Sequence, residues 1–299
     1  MRGWCFGKTH KGHSVADFPI KGGVAVITGA ASGIGAALAA DLAAKGCHLA
    51  LCDRNTEGLA RNAAAARLNG VTVSEHVLDV ADPAAIAALP EAVLAAHGRV
   101  TILVNNAGVA LAGTFMEATL EDFAWLMDIN FWGPVRLCRA FMFALTQEPT
   151  AHIVNISSIF GVVAPPGQTA YCASKFGVRG FSESLRHELA GTNLSLTVVH
   201  PGGVRTEITR SARIPQGIDP VEAAKQAEEA TQKALVMPPS DAASLIAGAI
   251  AKRAPRLLIG SDARMLERIQ RLFPVTYWRR MQMLMGRLNK LSSPGPAAP

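Results

Sequence analysis

The sequence predicts an α/β fold, a doubly wound parallel sheet in a single domain with a C-terminal helical extension. Two observations lead there. Short, β-branched apolar runs alternate with longer stretches of good helix formers from residue 24 to about residue 199, which is the pattern of βαβ units. Such alternation implies a parallel sheet covered by helices on both faces. The chain has 299 residues, 49% of them apolar and 17% charged. That suffices for one large core and falls short of two comfortable domains.

In order, Val24–Thr28 is a short β-branched strand and Ile34–Lys45 an Ala-rich helix. His48–Cys52 and Thr56–Leu68 repeat the unit, as do Val71–Val77 and Pro83–Ala96. Thr101–Val104 is a fourth strand, and a long helical stretch follows from about Leu120 to Thr146. Strand Ile153–Ile156, helix Tyr171–Leu189 and strand Ser195–Val199 continue the alternation, with right-handed crossovers expected. After Pro201 it stops. Residues 201–236 hold prolines, charges and one candidate helix, expected to cover the strand ends, where doubly wound sheets bind ligands. Asp241–Lys252 is a further helix and Arg256–Ile259 a last strand. The expected organisation is a lead-in segment at 1–22, the main domain at 23–261, and a basic amphipathic extension at 262–299 with a disordered end.

Charge and cysteine content narrow the function classes. The net charge of +6 is matched by residues 264–290 alone, where seven Lys or Arg face one Glu. The basicity belongs to the tail, so no nucleic-acid partner is expected. The five cysteines, an odd number without a CxxC pair, read as reduced thiols rather than a disulfide frame or a zinc site. No metal is expected. No apolar run has signal-peptide length or reaches the ~18 residues of a membrane span, so a cytoplasmic protein is expected.

The first strand runs into Thr28-Gly29-Ala30-Ala31-Ser32-Gly33-Ile34-Gly35. Glycines there let the backbone turn sharply and approach a phosphate, and the following helix offers unpaired N–H groups. Asp53 ends the second strand, placed to accept hydrogen bonds from an adenosine ribose, with Arg54 beside it. Asp79-Val80 follows the third strand and Asn105-Asn106-Ala107-Gly108 the fourth. Tyr171 and Lys175 share a helix face at i, i+4 spacing. An ammonium beside a phenol is expected to hold its pKa below the ordinary value of about 10.

These motifs, in this order, resemble the short-chain dehydrogenase/reductase family, over roughly residues 22–260. The glycine spacing is that family's TGxxxGxG rather than GxGxxG. The resemblance implies a Rossmann-type catalytic domain and a dinucleotide held by Gly29, Ser32, Gly33, Ile34, Gly35, Asp53, Arg54, Asp79, Val80, Asn106, Ala107 and Gly108. Tyr171 and Lys175 also touch it, and Pro201, Gly202, Val204 and Thr206, in a PGxVxT-like segment, would meet its nicotinamide. It implies a catalytic tetrad of Asn130, Ser158, Tyr171 and Lys175. Ser158 would hold the substrate oxygen, Tyr171 would carry the proton, and Asn130 would anchor a water linking Lys175 to solvent. Ser157 is expected to face away.

Asp53, which would repel a 2′-phosphate, and Ser32, which stands where many NADP-using relatives are basic, favour NAD over NADP. The expected function is hydride transfer between NAD(H) and a secondary alcohol/ketone on a fairly apolar small molecule. The alternatives are an NADP-dependent ketoreductase and a non-catalytic dinucleotide-binding scaffold. A homo-oligomer, dimer or tetramer, is expected. The arginine-rich tail, with apolar residues Met265, Ile269 and Leu272 at helical spacing, leaves open a peripheral membrane contact.

Overall fold

The computed structural model describes residues 17–219, 221, 225 and 236–283. The alternation of the sequence becomes a seven-stranded parallel sheet of order β3-β2-β1-β4-β5-β6-β7. The strands are β1 Val24–Thr28, β2 His48–Asp53, β3 Val73–Val77, β4 Ile102–Asn105, β5 Ala151–Ile156, β6 Leu194–Pro201 and β7 Arg256–Ile259. The helices are α1 Gly33–Ala44, α2 Thr56–Arg67, α3 Pro83–His97, α4 Leu120–Met127, α5 Gly133–Thr146, α6 Thr169–Glu188, α7 Pro239–Ala251 and α8 Ser261–Leu272. Chain direction across the sheet reverses between β1 and β4, so the loops leaving those two strands open a crevice at their carboxyl ends.

Alternate strand residues feed two cores. Ile27, Leu51, Val104 and Ile259 pack against Leu38 and Leu42 of α1, Leu59 of α2 and Ile246 and Ile250 of α7. Val26, Ala50, Leu103 and Ile153 face the other way, against Ile86 and Val93 of α3 and Leu137 and Phe141 of α5. Each such side chain removed from water contributes about 1.5–3 kcal/mol, which is why the central strands are largely apolar, while the edge strand β3 carries Ser74, Glu75 and His76.

The long helix expected over 120–146 is not continuous. A π-helical turn at Asp128–Trp132 separates α4 from α5. Helix α6 begins two residues before Tyr171, at Thr169. The tail also differs from its expected stripe. On α8, Ala263 is buried and Leu266 packs with it against Ile159, Val162 and Val163, whereas Met265 and Leu272 are exposed. The chain turns at Phe273–Thr276 and is helical again over 277–283, where Tyr277 Oη accepts from the Ala164 N–H at 2.9 Å. The lead-in before Asp17, the candidate helix within 220–235, and Leu284, Met285, Leu288 and Leu291 of the tail lie outside the described residues.

Candidate active site

The glycine turn after β1 is shaped by contacts that no side chain would tolerate. Gly29 and Gly33 have φ of +68° and +55°, the left-handed region open chiefly to glycine. A Cβ on Gly29 would stand 2.8 Å from Asn106 Nδ2 and 2.9 Å from Ala107 Cα, and one on Gly35 would run into the Gly29 carbonyl. The turn is tied to β4. Thr28 Oγ1 accepts from the Asn106 and Ala107 N–H groups, both at 3.1 Å, and Asn106 Nδ2 donates to the Thr28 carbonyl at 2.9 Å. Asn105 Nδ2 donates to Asn155 Oδ1 at 2.8 Å, and Asn155 Nδ2 to Ser182 Oγ at 2.9 Å. These amides join β4 to β5 and β5 to α6 beneath the crevice.

Asp53 lies at the end of β2, where Oδ2 accepts from the Ala31 N–H at 2.9 Å and Oδ1 from the Asn55 N–H at 2.9 Å. Its carboxylate therefore borders the glycine turn directly. Arg54 and Ser32 are exposed and Ile34 is partly buried. Val80 is buried and would touch a Cβ on Gly133, while Asp79 is exposed, its Oδ1 accepting from the Ala81 N–H at 2.9 Å. The segment after β6 reaches back to the turn, since a Cβ on Gly33 would lie 3.2 Å from Thr206 Cγ2. The glycine turn, Asn106–Gly108 and Pro201–Thr206 thus form one neighbourhood.

The tetrad residues converge beside it. Ser158 follows β5 and starts a single 3-10 turn, its Oγ accepting from the Phe160 N–H at 3.1 Å. The Ser158 hydroxyl lies close enough to the Tyr171 phenol to pull its pKa downward. Lys175, one turn along α6, puts Nζ 5.6 Å from the Tyr171 ring centre and donates to the Ile156 carbonyl at 3.1 Å. Ser157 is turned away, its Oγ donating to the Lys175 carbonyl at 2.8 Å. Asn130 sits fully buried in the π turn. Its Oδ1 accepts from the Val109 N–H at 2.8 Å, and its Nδ2 donates to the Val109 carbonyl at 2.9 Å and to Ser174 Oγ at 3.3 Å. Gly108 separates Asn130 from Lys175, since a Cβ there would lie 3.2 Å from Asn130 Oδ1 and 3.5 Å from Lys175 Nζ.

The electrostatics correct one expectation. Burial pushes the Tyr171 phenol up to about 12, with the Ser158 hydroxyl pulling the other way. Burial also brings the Lys175 ammonium down to about 8. In the polypeptide alone, desolvation therefore outweighs the neighbouring ammonium, and the phenol is not held below its ordinary value. His200, buried at the end of β6, lies near 4 for the same reason and is neutral. Its Nδ1 lies 3.0 Å from the Ser158 carbonyl, so it braces the serine's backbone. The thiols of Cys47, Cys138 and Cys172 are likewise raised, to about 12, 12 and 11, and are protonated.

A cleft opens beside the Tyr171 ring. Leu111, Phe115, Ala118 and Phe123 give it apolar walls, and Thr114, Gln168 and Thr169 a polar rim. The covering segment closes on it at two points. Arg213 exchanges backbone hydrogen bonds with Ala110 and Ala112 and lies over the Trp125 ring, its guanidinium 3.2 Å from Asp122. Ile218 reaches Gly113. Val236, the last residue of the expected cover, is exposed, and Met237 beside it packs against the α1 side of the core. Leu235 lies outside the described residues. The cleft residues 111–123 carry no motif, and only an aromatic-rich loop after β4 could have drawn attention to them.

The family model for short-chain dehydrogenases matches residues 23–217, and so takes in the glycine turn, the tetrad and the 201–206 segment. The chain belongs to the short-chain dehydrogenase family. SadH of Mycobacterium tuberculosis, named an oxidoreductase, is 40% identical over 261 residues, 87% of this chain and 94% of that one. A D-threitol dehydrogenase of Mycolicibacterium smegmatis is 41% identical over 198 residues, covering 66% of this chain and 75% of the relative. Among solved structures, a short-chain dehydrogenase from Burkholderia phymatum in complex with NAD superposes with a TM-score of 0.78 at 32% identity, covering 85% of this chain and 94% of the other. This short-chain dehydrogenase is therefore an oxidoreductase with a nicotinamide dinucleotide site. The glycines at 29, 33 and 35 let the turn pack tightly against Asn106, Ala107 and Thr206 at the N-terminus of α1, a shape that fits that cofactor.

Proposed function

We propose that the protein transfers hydride between NAD(H) and a secondary alcohol/ketone on a fairly apolar molecule, with Tyr171 as acid/base. The observation that carries this reading is the meeting of Ser158, Tyr171 and Lys175 at the carboxyl ends of β4 and β5, beside the glycine turn. The cofactor, held by Gly29–Gly35, Asp53 and Pro201–Thr206, supplies the hydride donor or acceptor. Ser158 and Tyr171 grip the substrate oxygen together, the serine hydroxyl standing close enough to the phenol to influence its pKa. In the reductive direction Tyr171, protonated at neutral pH, gives its proton to the oxygen. In the oxidative direction the phenol takes the alcohol proton, and Lys175 Nζ stabilises the phenolate. The proton leaves past Lys175 towards Asn130, both of which border Gly108.

Asp53 favours NAD. Its carboxylate is fixed by the Ala31 and Asn55 N–H groups at the place where a ribose would lie, and a 2′-phosphate there would meet like charge. The Leu111, Phe115, Ala118 and Phe123 walls favour an apolar substrate. The test is NADH absorbance with a panel of apolar secondary alcohols, their ketones and small polyols. Turnover of the apolar pair is expected. Turnover confined to polyols or charged hydroxy acids would overturn the substrate class, and binding of cofactor without turnover of any carbonyl or alcohol would favour a scaffold.

A further inference from the structure

We propose that Asp262 is a positioning residue for the nicotinamide end of the cofactor site, fastening the 202–206 segment from the first turn of α8. The inference rests on the reading that this segment meets the nicotinamide.

The need for a fastener comes from topology. The Gly202 N–H donates to the Ile259 carbonyl at 2.8 Å, the last bond of the β6–β7 pairing. The next N–H, that of Gly203, has left the sheet. Asp262 Oδ2 accepts it at 2.8 Å. On the other side of the same residue, the Gly203 carbonyl accepts from the Val236 and Met237 N–H groups at 3.1 Å, and the Arg205 N–H donates to the Met237 carbonyl at 2.8 Å. The arch that carries Val204 and Thr206 therefore hangs between two supports, residues 236–237 and the single carboxylate of Asp262.

Two glycines are shaped around that carboxylate. A Cβ on Gly202 would collide with it, and so would one on Gly260, whose φ is +99°. Gly260 is kept bare by its positive φ as well as by the carboxylate, whereas Gly202 has no positive φ and is bare because Asp262 reaches over it. The carboxylate has no ion-pair partner among the described residues. Its charge is balanced by the Gly203 N–H and by the N-terminal dipole of α8, in whose first turn it lies. Residue 262 also falls beyond the stretch matched by the family model, so the tail of this chain takes part in holding the cofactor.

The test is titration of NADH and of ADP-ribose, which lacks the nicotinamide, against the wild type and two variants. Asp262→Ala is expected to weaken NADH about tenfold, the loss of one charge-assisted hydrogen bond, and to leave ADP-ribose within about twofold. Asp262→Asn, which keeps a neutral acceptor, is expected to fall between wild type and alanine for NADH, with ADP-ribose again unchanged. A variant that weakens both ligands equally, or neither, overturns the positioning role. The asparagine variant decides the matter if the alanine variant fails to fold. A wild type that binds neither ligand would instead overturn the cofactor reading, before any variant is made.

Discussion

Lys175 is 3% exposed, and among the described residues its ammonium donates only to the Ile156 carbonyl. Its folded pKa of about 8 lies below the ordinary 10.5. Below pH 8 the group is charged in both folded and unfolded chains, and folding bears the whole desolvation cost. Between 8 and 10.5 the unfolded chain binds more protons, so stability rises with pH, and above 10.5 the cost is gone. Lys175→Met should therefore stabilise the protein at pH 6–8 by about 1–3 kcal/mol, the lost hydrogen bond offsetting part of the gain, while abolishing turnover. Thermal unfolding against pH checks this, and a variant no more stable than wild type at pH 7 would contradict it. Tyr171→Phe should keep NADH binding within about threefold and lose about 10²–10⁴-fold in turnover. Because the phenol is raised to about 12 in the free protein, oxidation should accelerate as pH rises from 7 to 10, while reduction, which uses the protonated phenol, should stay nearly constant over that range. Profiles flat in both directions would remove Tyr171 from the proton transfer.

At the scale of elements, the end of β2 and the glycine turn act as one unit through Asp53 and Ala31. Asp53→Ala should lower the NADH-over-NADPH preference by about tenfold, because it removes both a ribose acceptor and the charge that repels a phosphate. Fluorescence titration of both cofactors measures it, and a wild type that prefers NADPH would refute the assignment. Gly35→Ala should abolish cofactor binding, since its methyl would displace the Gly29 carbonyl. Much of this was legible. Strands β1, β2, β4 and β7 fall within a residue of their expected bounds, because each is a short apolar run ended by a polar turn. The π turn was not legible. Asp128-Ile129-Asn130-Phe131-Trp132 contains no glycine or proline, and local preference does not separate an α from a π turn there. Asn130, mildly unfavourable within a helix, was the only hint. The cleft walls at Leu111, Phe115 and Phe123 were equally hidden. They meet only because the 207–219 segment folds back on the loop after β4, a tertiary event without a local signature. Asp262 was missed for the same reason, lying 59 positions from the peptide it holds.

For the molecule as a whole, exposed Trp132, Phe143 and Phe176 on or beside α5 and α6 are large apolar side chains facing water. A homo-oligomer is expected to cover them, and light scattering should give a multiple of 31.4 kDa. A monomer at micromolar concentration would contradict that. Among the described residues no helix is long and apolar enough to cross a membrane. The tie between the glycine turn and the strand beyond it has a consequence for how the protein is made. Asn106 and Ala107 close onto Thr28 across 78 and 79 positions of chain. A ribosome-bound chain that has emerged only as far as β3 holds the phosphate loop's glycines without the partner that sets their shape. Contacts this distant close slowly, because loop entropy is lost before they form. The nucleotide thus has no finished cradle during the first third of synthesis, and the last fastener, Asp262, emerges only near the end. A nascent chain stalled before β7 should therefore hold a closed glycine turn yet bind NADH at least about tenfold more weakly than the full chain, the loss expected of Asp262→Ala.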